Sequence, residues 1–253
     1  MKYLDQEPII EKIKNSIKKD GSTKLVIFTD SNLDNLSYCK SIKKINDREQ
    51  YVNDVEITDI NTDANLQKYT KDYKVFIMNS IVNNDIVKSF VNSNPNICYS
   101  EIMNCNRITP TPDAIVDTIK HFYETDNLSG LVITISNRSE LIGKPLVDKL
   151  IDLNATINWI HTKTNDKIKE KYFNEADCIV TAAGRPNTFY LNSNSKKQLL
   201  VDAGINVVDG KVCGDWCIDK LEAFENVTIT KNPGGVGKLT TYELFKAITL
   251  SLL

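Results

Sequence analysis

The stretches best equipped for chemistry are short and lie mostly in the second half of the chain. Residues 232–240 read NPGGVGKLT, a glycine run beside a lysine, as in a phosphate-binding loop. That motif needs a glycine five residues before the Gly-Lys pair and a Ser or Thr after it. Asn232 and Leu239 hold those places, so no hydroxyl follows Lys238 to hold Mg²⁺. The segment ITISNRSELIGKPL, residues 133–146, is a strand running into a loop, with Gly143 opening a helix. Such a turn is where a dinucleotide pyrophosphate sits. The usual G-x-G-x-x-G is absent, since Ser136 and Asn137 stand where glycines are expected. The next strand ends in WIHTKT, residues 159–164. Many NAD sites place a carboxylate there for the ribose hydroxyls. This chain offers His161, Thr162, Lys163 and Thr164 instead, with Arg138 on the neighbouring loop. Donors and a guanidinium suit a ribose 2′-phosphate, so NADP is favoured, with NAD left open. His161 alone reads equally well as a surface histidine. Further on, TAAGRPNTF carries Gly184, where a ligand can approach the backbone, and VDAGIN exposes Gly204 and Ile205 to a nicotinamide amide.

These residues need strands and helices to hold them, and the periodicity supplies both. Ile9, Ile10, Ile13 and Ile17 have helical spacing. KLVIFTD (24–30) is a buried strand, LSYCKSIKKIND (36–47) a helix, YVNDVEITDI (51–60) a strand and NLQKY (65–69) a short helix. YKVFIMNS (73–80) is a strand and NDIVKSFVNS (84–93) a helix. Such a series builds a parallel sheet with helices on both faces. Pro110 and Pro112 punctuate the chain before the helix DAIVDTIKHFY. The strands GLVITI, ATINWIH, DCIVTAA, QLLVDAG and VTIT then alternate with helices GKPLVDKLIDL and DKIKEKYF. NVVDGKVCGD has a hairpin pattern, and the last helix runs TTYELFKAITLSLL to Leu253. The expected class is α/β, with two domains. Residues 1–113 form one parallel α/β domain, to which a C-terminal helix, 239–253, is assigned. Residues 114–238 form a Rossmann-type NAD(P)-binding domain.

Composition narrows the function. The chain has 253 residues, 41% hydrophobic and 25% charged, with a net charge of −2, which gives no electrostatic case for nucleic acid. No apolar run approaches transmembrane length and the N-terminus lacks an apolar signal core, so no membrane partner and a cytoplasmic location are expected. Six cysteines without a C-x-x-C pair, and two histidines, predict reduced thiols and no metal site.

Taken together, NRSELIGKP, IHTKT, AAGRP, VDAGIN, GKVCGD and PGGVGKLT resemble, in order and spacing, the motifs of the methylenetetrahydrofolate dehydrogenase/cyclohydrolase (FolD) family. TPDAIVDTI resembles its linker helix. The resemblance covers residues 130–245. It implies NADP-dependent oxidation of 5,10-methylenetetrahydrofolate, hydrolysis of the methenyl product in most members, folate in a cleft between two domains, and a homodimer. It also implies that Arg138, Ser139, Thr162 and Thr164 hold the cofactor phosphates. His161 stands beside them. Gly184, Pro186 and Ile205 would line ribose and nicotinamide, and Pro233, Gly234, Gly235 and Thr240 would face the cleft.

The first half departs from the family pattern. Its S-x-x-Y-x-x-x-K-x-K motif, with a tyrosine that stacks on folate and a catalytic first lysine, falls on Asn35, Tyr38, Ile42 and Lys44. Lys43 is one position from the lysine place, about 100° round a helix. It is taken with Tyr38 and Asn79 as the catalytic candidates. Asn79 replaces the glutamine of V-Q-L-P-L-P, so Tyr38 and Asn79 are also substrate-binding candidates. Glu101 is the only carboxylate where the family has D-V-D-G, and is not counted among the site residues. Hydride transfer needs positioning, whereas hydrolysis needs a tuned proton-handling group. Loss of the lysine therefore puts hydrolysis in doubt more than dehydrogenation. Two further readings stay open: a non-catalytic dinucleotide-binding protein, and a Rossmann oxidoreductase with another substrate. Lys238, where the family has proline, could offset the missing cation.

Overall fold

A computed structural model describes residues 1–61, 66–103 and 105–250, the side chain of Asp34 excepted. In chain order the elements are β1 (Lys2–Tyr3), α1 (Glu7–Ser16), β2 (Asp20–Thr29), α2 (Leu33–Glu49), β3 (Val52–Asp59), β4 (Tyr73–Ile77), α3 (Asp85–Ser93), β5 (Cys98–Ser100) and β6 (Asn106–Arg107). Then follow α4 (Pro110–Tyr123), β7 (Val132–Ser136), α5 (Gly143–Asp152), β8 (Thr156–Ile160), α6 (Asp166–Glu175), β9 (Cys178–Thr181), β10 (Gln198–Asp202), β11 (Asn206–Val208), β12 (Lys211–Cys213), β13 (Val227–Ile229) and α7 (Val236–Leu250). The expected continuation of the last helix to Leu253, and the start of the short helix at Asn65, lie outside the described residues. The chain divides into two compact units, residues 13–110 with 241–253, and residues 1–12 with 111–240.

The first of these units is built on a parallel sheet in the order β3-β2-β4-β5-β6. Leu25, Val26, Ile27 and Phe28 of β2 are fully buried, because a central parallel strand is covered on both faces. Each such side chain contributes about 1.5–3 kcal/mol on leaving water. Successive strands add to one side of β2 as β3 and to the other as β4, so the sheet reverses direction between β2 and β4. A crevice therefore opens beyond the carboxyl ends of those two strands. Asn84 caps α3 by accepting from the backbone N–H groups of Ile86 and Val87. From α7, Phe245 packs on Tyr51 with ring centroids 5.1 Å apart, and Arg48 donates to the Tyr242 hydroxyl at 2.6 Å. The strands β5 and β6 were not legible in the sequence. They have three and two residues, too few to show a period.

The other unit carries a parallel sheet in the order β1-β13-β10-β9-β7-β8. Its reversal lies between β7 and β9. β1 pairs Lys2 with Thr228 and Tyr3 with Ile229. Residues 1–12 group with this sheet, whereas the sequence pattern assigns them to the first domain. Phe173, Phe189 and Trp216 form an aromatic cluster in the core, with centroids 5.8–6.0 Å apart. β11 and β12 form a separate antiparallel hairpin, turned at Asp209 and Gly210, both at positive φ. No described helix is long and apolar enough to cross a membrane. Among the described residues no group of three His, Cys, Asp or Glu is placed to hold a metal.

Candidate functional site

In the first unit, the polar residues collect at the carboxyl ends of β2, β4 and β5. Asp30 follows β2 and accepts from Asn35 Nδ2 at 2.8 Å. The same nitrogen donates to Ser80 Oγ at 2.9 Å, which joins the two loops that flank the sheet reversal. These hydrogen bonds, Asn35 first, hold the Asp30 carboxyl below its ordinary range. Asn79 follows β4, and its amide donates to the carboxylate of Glu101, which follows β5. Burial pushes the Glu101 carboxyl up, against the pull of Asn79. Burial, and next the Glu101 charge, push the Tyr38 phenol up as well. The structure thus joins Asn79 to Glu101, whose charge reaches Tyr38.

Lys43 does not join them. On α2 the face holding Cys39, Ile42 and Asn46 is buried, with exposures of 0%, 0% and 1%. Ile42 lies one turn from Tyr38 and is sealed in the core. One step round the helix, Lys43 Nζ meets Asp54 Oδ1 at 3.2 Å and donates to the Val55 carbonyl at 2.5 Å. Lys43, expected to stand in for the lysine, is thus engaged on β3 in this structure. The Lys238 idea fares likewise, since its Nζ pairs with Glu7 Oε1 at 2.8 Å.

In the other unit, most expected cofactor residues lie on loops leaving the carboxyl ends of parallel strands. Arg138 and Ser139 follow β7, His161, Thr162 and Thr164 follow β8, Gly184 and Pro186 follow β9, and Ile205 follows β10. Pro233, Gly234 and Gly235 follow β13. Asn137 organises the first loop. Its Oδ1 accepts from Ser139 N and Oγ, both at 2.8 Å, and from Gly143 N at 2.9 Å. Its Nδ2 donates to the Ala182 carbonyl across the sheet reversal. Lys144 N donates to the Ser139 carbonyl at 3.0 Å, and Pro145 has no N–H. The amides opening α5 are therefore already engaged, contrary to the simple picture of a pyrophosphate seated on them. Arg138 is exposed in that loop, with no ion pair among the described residues. His161 N donates to Thr164 Oγ1 at 3.0 Å, and His161 Nδ1 accepts from Lys163 N at 3.1 Å, which folds the strand end into a turn. Thr162, Gly184 and Pro186 are exposed, and Ile205 is 71% exposed. Thr240 stands apart: it lies one turn inside α7, 7% exposed, and its hydroxyl donates to the Val236 carbonyl at 2.9 Å. Its hydroxyl proton is thus engaged within the helix.

Two buried acids, unweighed in the sequence, tie these loops together. Asp202 ends β10 and accepts from Gly204 N at 3.0 Å, Asp215 N at 3.0 Å and Trp216 N at 3.3 Å. Asp215 accepts from Ala183 N at 2.6 Å, Arg185 N at 3.0 Å and Asn206 Nδ2 at 3.0 Å. Burial pushes the Asp202 carboxyl up, opposed by these backbone donors. The glycines of VDAGIN and VCGD make the approach possible. A Cβ on Gly204 would lie 2.2 Å from the Asp215 carboxylate, and one on Gly214 would lie 1.9 Å from Asp202 Oδ2. Gln6, 5% exposed, stands against Gly235, and neither of its amide atoms has a hydrogen-bond partner among the described residues. A cavity of about 340 Å³ lies between α6 and residues 188–192, floored by Phe173, Phe189 and Leu191. Its charged rim is satisfied internally, by Lys169 with Asp166 and by Asn192 with Glu170, both at 2.8 Å, and it contains none of the expected site residues.

Asp30 and Ser80 could have been found from the rule that ligands meet α/β sheets beyond strand carboxyl ends. Asp202 and Asp215 lay inside recognised blocks. Gln6 had no sequence signal.

Known proteins with the same arrangement were then compared. Residues 109–252 match the family model described as the tetrahydrofolate dehydrogenase/cyclohydrolase NAD(P)-binding domain. A bifunctional protein FolD of Malacoplasma penetrans is 36% identical over 148 residues, which cover 57% of this chain and 50% of that protein. The matched stretch thus spans half the length of that relative. A FolD of Macrococcus caseolyticus is 29% identical over 227 residues, 90% of this chain and 75% of that one. The crystal structure of the FolD enzyme from Campylobacter jejuni superposes with a TM-score of 0.77 at 24% identity, over 99% of this chain and 98% of that one, and so has the same fold. With more than half of its residues matched by the family model, this chain belongs to the tetrahydrofolate dehydrogenase/cyclohydrolase family.

Proposed function

We propose that the chain oxidises 5,10-methylenetetrahydrofolate to the 5,10-methenyl compound with NADP. The observation that carries the cofactor half is the edge formed by the loops after β7 and β8. Arg138 is exposed there with no ion pair among the described residues, Glu140 of the same loop pairs with Lys144, and the β8 end presents His161, Thr162 and Thr164 with no carboxylate among residues 161–164. That donor set fits a dinucleotide bearing a 2′-phosphate. In this reading Arg138 and Thr162 bind the 2′-phosphate, with His161 and the Thr164 hydroxyl shaping the turn. Ser139 holds the loop through Asn137. Gly184, Pro186 and Ile205 line the ribose and nicotinamide, and NADP when bound supplies the hydride acceptor. Tyr38 stacks on the folate ring, and Asn79 with Glu101 orients it. Pro233, Gly234 and Gly235 close on the ligands. What the residues contribute to hydride transfer is positioning and exclusion of water. The lost lysine does not bar this step, since no proton is exchanged. Family membership also supports a homodimer working in the cytoplasm.

The test supplies purified chain with 5,10-methylenetetrahydrofolate and NADP. NADPH must form at a rate proportional to protein. Calorimetric binding of NADP without turnover would favour a non-catalytic dinucleotide protein instead. Binding of NADP with no affinity for tetrahydrofolate would favour a changed substrate.

A further inference from the structure

Hydrolysis of the methenyl product needs a group that can take a proton from water and return it to the leaving nitrogen. Three lysines lie near the place where the family resemblance puts that group. Lys43 is held by Asp54 and Val55, and Lys40 and Lys44 are on the exposed side of α2. At the place itself stands Ile42, fully buried. The cluster at the carboxyl ends of β4 and β5 contains a different proton-handling group. Glu101 is a half-buried residue whose carboxyl accepts from the Asn79 amide, which fixes its orientation. The other atom of that amide, Asn79 Oδ1, is buried with no hydrogen-bond partner among the described residues. Tyr38, the residue expected to stack on folate, has its phenol pushed up by burial and then by the Glu101 charge.

We propose that Glu101 is the general base that hydrolyses 5,10-methenyltetrahydrofolate in this chain, with Asn79 as its positioning residue. The inference rests on the folate reading above. Water attacks the amidinium carbon, and as the C–O bond forms its proton passes to the Glu101 carboxylate. As the bond from that carbon to the ring nitrogen breaks, Glu101 returns the proton to the nitrogen. The proton of the new hydroxyl leaves to solvent as the formyl group forms. Methenyl cation and water thus give the neutral 10-formyl compound and one proton, with no change of oxidation state. A carboxyl held above its ordinary range by burial is better matched to this task near neutral pH than an exposed one.

The experiment follows the decay of 5,10-methenyltetrahydrofolate with the native chain, Glu101→Gln, Glu101→Asp and Lys43→Met. NADP binding by calorimetry and circular dichroism check that each variant is folded. The native chain is expected to exceed the buffer rate. Glu101→Gln is expected to lose roughly a hundredfold or more of that excess, in line with general acid–base catalysis. Glu101→Asp, which keeps the carboxylate, recovers part of it. Hydrolysis undiminished in folded Glu101→Gln, or lost in folded Lys43→Met while Glu101→Gln retains it, overturns the proposal. So does a native chain that reduces NADP with the methylene compound but leaves the methenyl compound decaying at the buffer rate; the folate reading then stands. If the native chain neither reduces NADP nor binds tetrahydrofolate, the folate reading itself fails, and the role of Glu101 falls with it.

Discussion

Arg138 and Ile42 decide, at the scale of single residues, what this chain can bind and what it must do without. Asn137 engages Ser139 and Gly143 on the loop of Arg138, and in the proposed reading the exposed guanidinium meets the 2′-phosphate. A charge-assisted contact is worth about 1.5–3 kcal/mol. Arg138→Ala should therefore raise KM for NADP roughly tenfold to a hundredfold, and raise KM for NAD less. Steady-state kinetics with both cofactors read this directly, and an equal rise for the two would contradict a 2′-phosphate contact. Ile42 has no proton to give, and its burial explains why neighbouring lysines cannot rotate into its place without opening the core. That point was half legible in the sequence. The isoleucine was visible, but the commitment of Lys43 to Asp54 and of Lys238 to Glu7 is a tertiary fact that no spacing on one helix reveals.

The strand ends and the loops between them set the site at the scale of elements. Both sheets reverse direction once, between β2 and β4 and between β7 and β9, and the candidate residues follow those reversals. Alternation of helix and strand made this legible, because a βα series fixes parallel strands and hence which ends carry ligands. β1, β5 and β6 escaped because two or three residues carry no period. Their placement decides where residues 1–12 belong and where Glu101 sits. The carboxylates of Asp202 and Asp215 lock three of the loops, and the glycines facing them leave no room for a side chain. Gly214→Ala should cost about 1–3 kcal/mol, as overpacking of a filled interior does. A urea titration followed by circular dichroism measures it, and an unshifted midpoint would show that the Asp202 clamp yields easily.

For the whole molecule, composition alone pointed to an ordinary reduced, globular protein, and the fold gives that a chemical consequence. All six cysteines are free. Burial pushes the Cys39 thiol up to about 11 and the Cys98 thiol up to about 12, and raises Cys178 too. Only the thiolate is nucleophilic, so at pH 8 about a thousandth of Cys39 is reactive. Iodoacetamide should label the half-buried Cys213 and Cys217 of the native chain well before these three, and all six after unfolding. Mass spectrometry resolves the order, and early labelling of Cys39 or Cys98 would contradict the packing of the first unit. The family was legible because six motif blocks stand in register in the cofactor half, where close backbone approach restricts residue choice. The first half was less so, because its side chains depart in type from the family motifs while the parallel sheet remains.

On the proposed reading, the chain oxidises methylenetetrahydrofolate although the family lysine is gone. The most direct measurement is the rate of NADPH formation when 5,10-methylenetetrahydrofolate is added to the native chain with saturating NADP, repeated with NAD. The account expects protein-dependent turnover, with the higher kcat/KM for NADP. Folded chain that binds both ligands and forms no reduced cofactor would contradict it.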